Sequence, residues 1–155
     1  MVSKTAEYAL RAAVFLAWVP GHCATAKRIA EATLVPVGYL SKVLHAMAKS
    51  GVVTSQRGPA GGFCLARPPS EMSMLEVVQV VEPIRRITAC PLGLSEHDCG
   101  LCPLHRRLDD VAAAAQRILG GTTLQNLLED ERRPLGRLRV EQLFACLECK
   151  DSPQN

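Results

Sequence analysis

Between Cys90 and His105 the chain reads CPLGLSEHDCGLCPLH, which places Cys90, Cys99, Cys102 and His105 within one short stretch. Local loop geometry alone lets these sulfurs converge, because Cys99 and Cys102 flank a glycine-containing turn and Cys90 lies a short loop away. Thiolates are soft ligands that hold zinc or iron-sulfur clusters far better than magnesium or calcium. Pro103 suits a first helical position, so Cys102 is expected at a helix start, where unpaired backbone N–H groups lower a thiol pKa and donate to a bound sulfur. Three thiolates with His105 make an ordinary tetrahedral zinc site. Three thiolates with another ligand on iron fit the same residues, and so, less economically, do three incidental cysteines.

The chain holds seven cysteines, an odd number that argues against a fully paired disulfide scaffold. In a reducing compartment they read as free thiols, metal ligands or redox groups. Cys23 and Cys64 read as packed thiols, Cys64 on a strand beside the core. Cys146 and Cys149, in Cys-Leu-Glu-Cys, read as additional ligands, a dithiol pair or plain tail cysteines.

Elements on either side must position this stretch. The opening residues carry apolar Ala6, Leu10, Ala13, Val14 and Ala17 at helical spacing, interrupted by Glu7 and Arg11. That pattern describes an amphipathic helix from about Ser3 to Val19 rather than a signal peptide. Thr25 is a good N-cap for a short helix over Ala26 to Ala32. Pro36 opens a third helix that runs to Lys49, with Val37, Leu40, Leu44 and Met47 on its buried face. Val52 to Thr54 and Phe63 to Leu65 read as strands joined by the glycine-rich turn Arg57 to Gly62. Ser73 with Glu76 forms a capping box for a helix ending near Pro83.

Downstream, Leu104 to Leu119 reads as the longest helix, with Leu104, Leu108, Val111, Ala115, Ile118 and Leu119 in one apolar stripe. A chain this small can hardly cover that stripe, so a second copy is expected to do so. Thr122 with Gln125 offers a capping box for a last short helix through Leu128. The resulting class is mainly α: a winged helix-turn-helix with a long dimerisation helix. Its expected parts are the DNA-binding module over 1–82, the cysteine-rich loop over 83–102, the dimerisation helices over 103–130 and a tail over 131–155.

Charge supports a nucleic-acid partner for the first part. Residues 1–67 hold eight basic and two acidic side chains, and the rest ten basic and thirteen acidic ones. A basic half joined to an acidic half fits a DNA-binding module with a separate regulatory part. In a helix-turn-helix the start of the second helix enters the major groove. Val37, Gly38, Tyr39, Ser41 and Lys42 occupy that start: the hydroxyls can donate to phosphates or base edges, and Val37 can meet a thymine methyl. Lys42 and Lys49, with Lys27 and Arg28 on the preceding helix, are expected on phosphates, and Thr25 at the start of that helix is a further DNA-contact candidate. Arg57, in the turn with Pro59 and Gly61, can enter a minor groove. His45 reads as a surface or packing residue. No acid–base pair or nucleophile constellation stands out, so no enzyme is expected. No apolar stretch is long enough to span a bilayer, and the chain reads as cytoplasmic, without a membrane partner.

Several stretches carry a family likeness: EYALRA near the start, VGYLSKVLHAMAKSGVV, RGPAGGFCLARPPSEMSMLEVVQVVE, the three cysteines, and TLQNLL. Over roughly residues 1 to 128 the chain resembles the Rrf-two family of winged-helix transcription regulators, of the IscR and NsrR kind. The resemblance implies a homodimer crossing its long helices on a palindromic operator in double-stranded DNA. It also implies an iron-sulfur cluster, two-iron or four-iron, held by Cys90, Cys99 and Cys102, which departs from the family's even cysteine spacing. The remaining ligand it implies is His105 or Glu7, the latter from the other subunit; otherwise Glu7 is an exposed helix glutamate. DNA affinity would then follow redox, nitric oxide or cluster status. Two alternatives are a zinc- or thiol-based redox-sensing regulator and a metal-containing interaction module that does not bind DNA.

Overall fold

The computed structural model describes residues 2–58, 61–89 and 101–129. Helix α1 (Lys4–Trp18) starts at Ser3, whose Oγ accepts the Ala6 N–H at 3.2 Å. It buries Ala6, Ala9, Ala12 and Ala13 completely or nearly so, together with Leu16. Small side chains let neighbours approach closely, and α1 becomes the central rod against which the later helices pack. It stops ahead of Pro20 and Gly21, the latter at φ +70°. A short 3-10 turn leads to strand β1 (Cys23–Ala24).

Thr25 caps α2 (Ala26–Thr33), its Oγ1 accepting the Arg28 N–H at 3.2 Å. Leu34 takes a left-handed conformation at φ 56°, which turns the chain sharply into α3 (Val37–Lys49). That helix buries Leu40, Val43, Leu44 and Met47. Helical periodicity puts Val37 on the buried face; instead it is 50% exposed, and Val43 fills the inner position. One residue at the helix start cannot reach the core, because the entering chain at Pro36 still lies outside it.

Strands β2 (Val53–Gln56) and β3 (Gly62–Leu65) form the wing, and β1 joins its other edge in the antiparallel order β1-β3-β2. The two-residue β1 carries no pattern long enough to read from sequence. Its register sets Cys23 directly opposite Cys64, and the two are joined in a disulfide. Cys23 and Cys64 are therefore not the packed thiols expected. A strand pairing across a separation of 41 residues brings them together, and local spacing gives no hint of it.

Helix α4 (Met74–Val81) opens with the expected capping box, Ser73 Oγ accepting from Glu76 N–H while Glu76 accepts from Ser73 N–H. Arg67 pairs with the same Glu76 at 2.5 Å. Helix α5 (Pro103–Gly120) is the longest among the described residues, about 27 Å at the ordinary rise per residue. After it, α6 (Leu124–Glu129) returns to the body: Leu124 N–H donates to Met72 O, Met74 N–H donates to Thr122 O, and Leu124 is fully buried. The cap at this start is Thr123 with Asn126, not Thr122 with Gln125, since the Thr122 hydroxyl donates back to Ile118 O. Leu119 also leaves the expected stripe and packs with Ala6 and Val78. No helix among the described residues is long and apolar enough to cross a membrane.

Candidate nucleic-acid interface and cysteine site

Val37, Gly38, Tyr39 and Lys42 are exposed along the start of α3, and Thr25, Lys27 and Arg28 along the start of α2. A Cβ added at Gly38 would meet nothing within 4 Å, so that glycine leaves open space in front of the helix. Tyr39 is anchored at both ends: its hydroxyl hydrogen-bonds the Thr5 hydroxyl, and its ring meets Tyr8 edge-on with centroids 5.6 Å apart. Ser41 Oγ donates to Val37 O at 2.9 Å. Both hydroxyls keep accepting capacity, but in this arrangement they first fix the helix start. His45 sits with Nδ1 2.6 Å from Ser41 O and its ring edge-on to Phe63, a packing role.

At the wing tip Arg57 is exposed and Gly58 adopts φ +118°, a conformation only glycine takes without strain. Gly61 N–H donates to Gly58 O at 2.8 Å, and a Cβ on Gly61 would lie 2.5 Å from Gln56 O. Glycine is thus required at two positions of the turn that carries the exposed Arg57. Pro59 lies outside the described residues.

Glu7 stands on α1 in an ion pair with Arg11 at 2.5 Å, both about half exposed. Arg11 also lies over the Tyr8 ring at 5.7 Å and donates to Thr33 O at 3.3 Å. Glu7 therefore joins the network that steadies the turn between α2 and α3.

Of the cysteine stretch, Cys102 and His105 are described, while Cys90 and Cys99 lie outside the described residues, as do Cys146 and Cys149. Cys102 is the N-cap of α5, as Pro103 implies, and its Sγ lies 3.2 Å from His105 Nδ1, both residues half-buried. A thiol and an imidazole one helical turn apart and facing each other fit two adjacent ligands of a thiophilic metal. Among the described residues no three His, Cys, Asp or Glu side chains gather into a metal site.

A clamp that no sequence pattern marks holds the approach to this stretch. Arg86 donates through Nε and Nη2 to the two carboxylate oxygens of Asp109, each at 2.6 Å, and Ile87 N–H donates to Asp109 Oδ1 at 2.9 Å. The Arg86 hydrogen bonds, then the Ile87 N–H, hold the Asp109 carboxyl down to about 2. Gln116 Nε2 donates to Ile84 O at 2.8 Å. Residues 84–87 thereby form a strap along α5 that ends just before Cys90. No local signal marks it, since its partners lie 22 to 32 residues apart. Along α5, Leu104, Leu108, Val111 and Ile118 stand exposed.

Comparison with known proteins places these features. Residues 2–130 match the family model Rrf2, described as an iron-dependent transcriptional regulator. The chain is 30% identical over 142 residues to the HTH-type transcriptional regulator NsrR of Shouchella clausii, covering 88% of this chain and 95% of that one. Among solved structures it superposes on CymR, the global cysteine regulator of B. subtilis, with a TM-score of 0.69 and 25% identity, covering 83% of this chain and 96% of that one. T. potens IscR gives a TM-score of 0.69 over 100% of this chain and 93% of that one at 22% identity, a likeness of fold alone. With the helix-turn-helix, the wing and all of the described chain within the match, this protein belongs to the Rrf2 family of winged-helix transcriptional regulators, DNA-binding proteins rather than enzymes.

Proposed function

We propose that this chain is a homodimeric transcription regulator whose affinity for a palindromic operator is set by an iron-sulfur centre at Cys90, Cys99 and Cys102. The observation that carries this reading is the facing pair Cys102 and His105 at the N-terminus of α5, with Asp109 clamping the strap to the same helix. When bound, such a centre supplies a charge that responds to oxidants and nitric oxide. Cys102 and His105 would hold it on the body of α5, and Asp109 with Arg86 would keep the strap leading to Cys90 in register. The exposed face of α5 would join two protomers, so a shift at its start alters the separation of the two α3 helices. Both half-sites must be met together, one helical turn or a multiple apart. Val37, Gly38 and Lys42 would then lie in the major groove, and Arg57 at the minor groove beside it.

A zinc or plain thiol centre at the same residues is the second reading. It is favoured by the short distance from Cys102 Sγ to His105 Nδ1, as in an ordinary zinc site with three thiolates and one imidazole. Anaerobic purification followed by iron, sulfide and zinc counts per chain separates the two. Iron with equimolar sulfide, a brown chromophore lost in Cys102→Ser, and different duplex affinity with and without the chromophore support the first. One zinc and no sulfide per chain would replace it with the second.

A further inference from the structure

Cys23 and Cys64 lie far from the cysteine stretch, within the DNA-binding head, and the metal reading makes no use of them. Cys23 is exposed, whereas Cys64 is buried at 7% exposure on the central strand of the wing. Their disulfide closes a short junction beside the core residues Ala24 and Phe63. β1 has only two residues, paired as Cys23 with Cys64 and Ala24 with Phe63. The strands meet closely there, for a Cβ on Gly62 would lie 2.4 Å from Ala24 O. Immediately after β1 comes Thr25, the cap of α2, followed by Lys27 and Arg28. Immediately before β3 comes the turn with Arg57. The link therefore ties the start of one DNA-facing helix to the wing across a shallow cavity of about 210 Å3 lined by Thr25, Arg28, Gln56 and Gly61.

We propose that Cys23 and Cys64 form a reversible thiol–disulfide site in the winged-helix head, with a low-molecular-weight disulfide as oxidant, and that the oxidised head binds duplex DNA more tightly. Both cysteines line the cavity, but Cys23 is exposed and Cys64 buried, so Cys23 is the entry sulfur. The Cys23 thiolate attacks one sulfur of the small disulfide, forming a mixed disulfide and expelling a thiolate that takes up the proton Cys23 released. The Cys64 thiolate then attacks the Cys23 sulfur, closing the internal bond and expelling the second small thiol. Two protein thiols are oxidised and one small disulfide is reduced to two thiols, with no further reactant. Closing the bond removes freedom between α2 and the wing before DNA arrives, and pre-organisation of a binding surface appears as affinity.

This inference rests on the DNA-binding reading but not on the metal. Its test uses the full chain and a duplex selected from a random pool, with fluorescence anisotropy at fixed salt for three samples. These are protein treated with oxidised glutathione, protein reduced with dithiothreitol, and Cys23→Ser, which changes an exposed side chain and leaves the buried Cys64 in place. Reduction and Cys23→Ser are each expected to weaken binding by about 3- to 10-fold relative to the oxidised chain. A reductant effect that persists in Cys23→Ser belongs to the other cysteines and counts against the proposal. A second readout is independent of DNA: after tryptic digestion and denaturation without reductant, the peptides carrying Cys23 and Cys64 run joined from the oxidised chain and separate from the reduced one. Equal affinity of all three samples, or fragments that separate after glutathione treatment, overturns the proposal. Failure of every form to bind any duplex overturns the DNA-binding reading and this inference with it.

Discussion

Substituting Val111 by glutamate tests whether α5 is the dimer seam. Val111 is 67% exposed in the single protomer, and Leu104, Leu108 and Ile118 beside it are 63%, 49% and 63% exposed. Full burial of an aliphatic side chain contributes about 1.5–3 kcal/mol. At two-thirds exposure Val111 has roughly 1–2 kcal/mol still to gain. A twofold interface uses each position twice, so the four side chains together supply roughly 7–15 kcal/mol. The lost freedom of association costs about 4–15 kcal/mol, which leaves a narrow margin. Removing Val111 from both protomers forfeits roughly 2–4 kcal/mol, a weakening of dimerisation by about 30- to 1000-fold, before the burial of two carboxylates is counted. Sedimentation equilibrium over a micromolar series measures this directly. Thermal melting by circular dichroism in the monomeric range provides the control, because an exposed helix residue changed from Val to Glu leaves the protomer intact. If Val111→Glu dimerises with an unchanged constant, the seam lies elsewhere and the assignment of α5 is wrong.

Three further outcomes follow from the same structure. The Asp109 carboxyl is held at about 2 against an ordinary 3.8, so its contribution to stability is complete above about 4 and is lost as pH falls from there toward 2. Melting curves across that range should show the wild type converging on Asp109→Asn, and a constant gap would exclude the clamp. Arg57→Ala should weaken binding to all duplexes and lower the slope of log affinity against log salt by about 0.9 if it contacts one phosphate. An unchanged slope removes Arg57 from the interface. Leu44→Ala, at a fully buried position of α3, should lower stability by about 2–5 kcal/mol in urea unfolding, and a loss under 1 kcal/mol would contradict the packing described.

Local rules explain what the sequence disclosed. Thr25 and Ser73 are caps whose partners lie three residues away, and Pro103 marks the start of α5, so those boundaries were legible from neighbours alone. The order of three helices and a glycine-tipped hairpin gave the fold class. Val37 and Leu119 were misassigned because periodicity identifies a face but not where along it the core ends. Thr123 displaced Thr122 as a cap for a related reason: both threonines suit the position, and the pairing of residues 72–74 with 122–124 decides between them. The Cys23–Cys64 bond and the Asp109 clamp depend on contacts over 41 and 22 to 23 residues, which single-sequence patterns do not carry.

The strap has a mechanical meaning for how a signal would travel. Arg86 and Ile87 on one side, and Cys102 on the other, are all fastened to α5, so the intervening segment starts and finishes on the same rigid body. Whatever happens within it can rotate that body, and among the described residues of this stretch every hydrogen-bonded tie runs to α5. At its far end α5 is pinned by Leu119 and by the return of the chain at Leu124, making it a lever with a fixed fulcrum. A lever of this kind moves a reading helix only by pushing on another copy of itself, so a protein forced to stay monomeric should grip half an operator with the same strength whatever its cysteines hold.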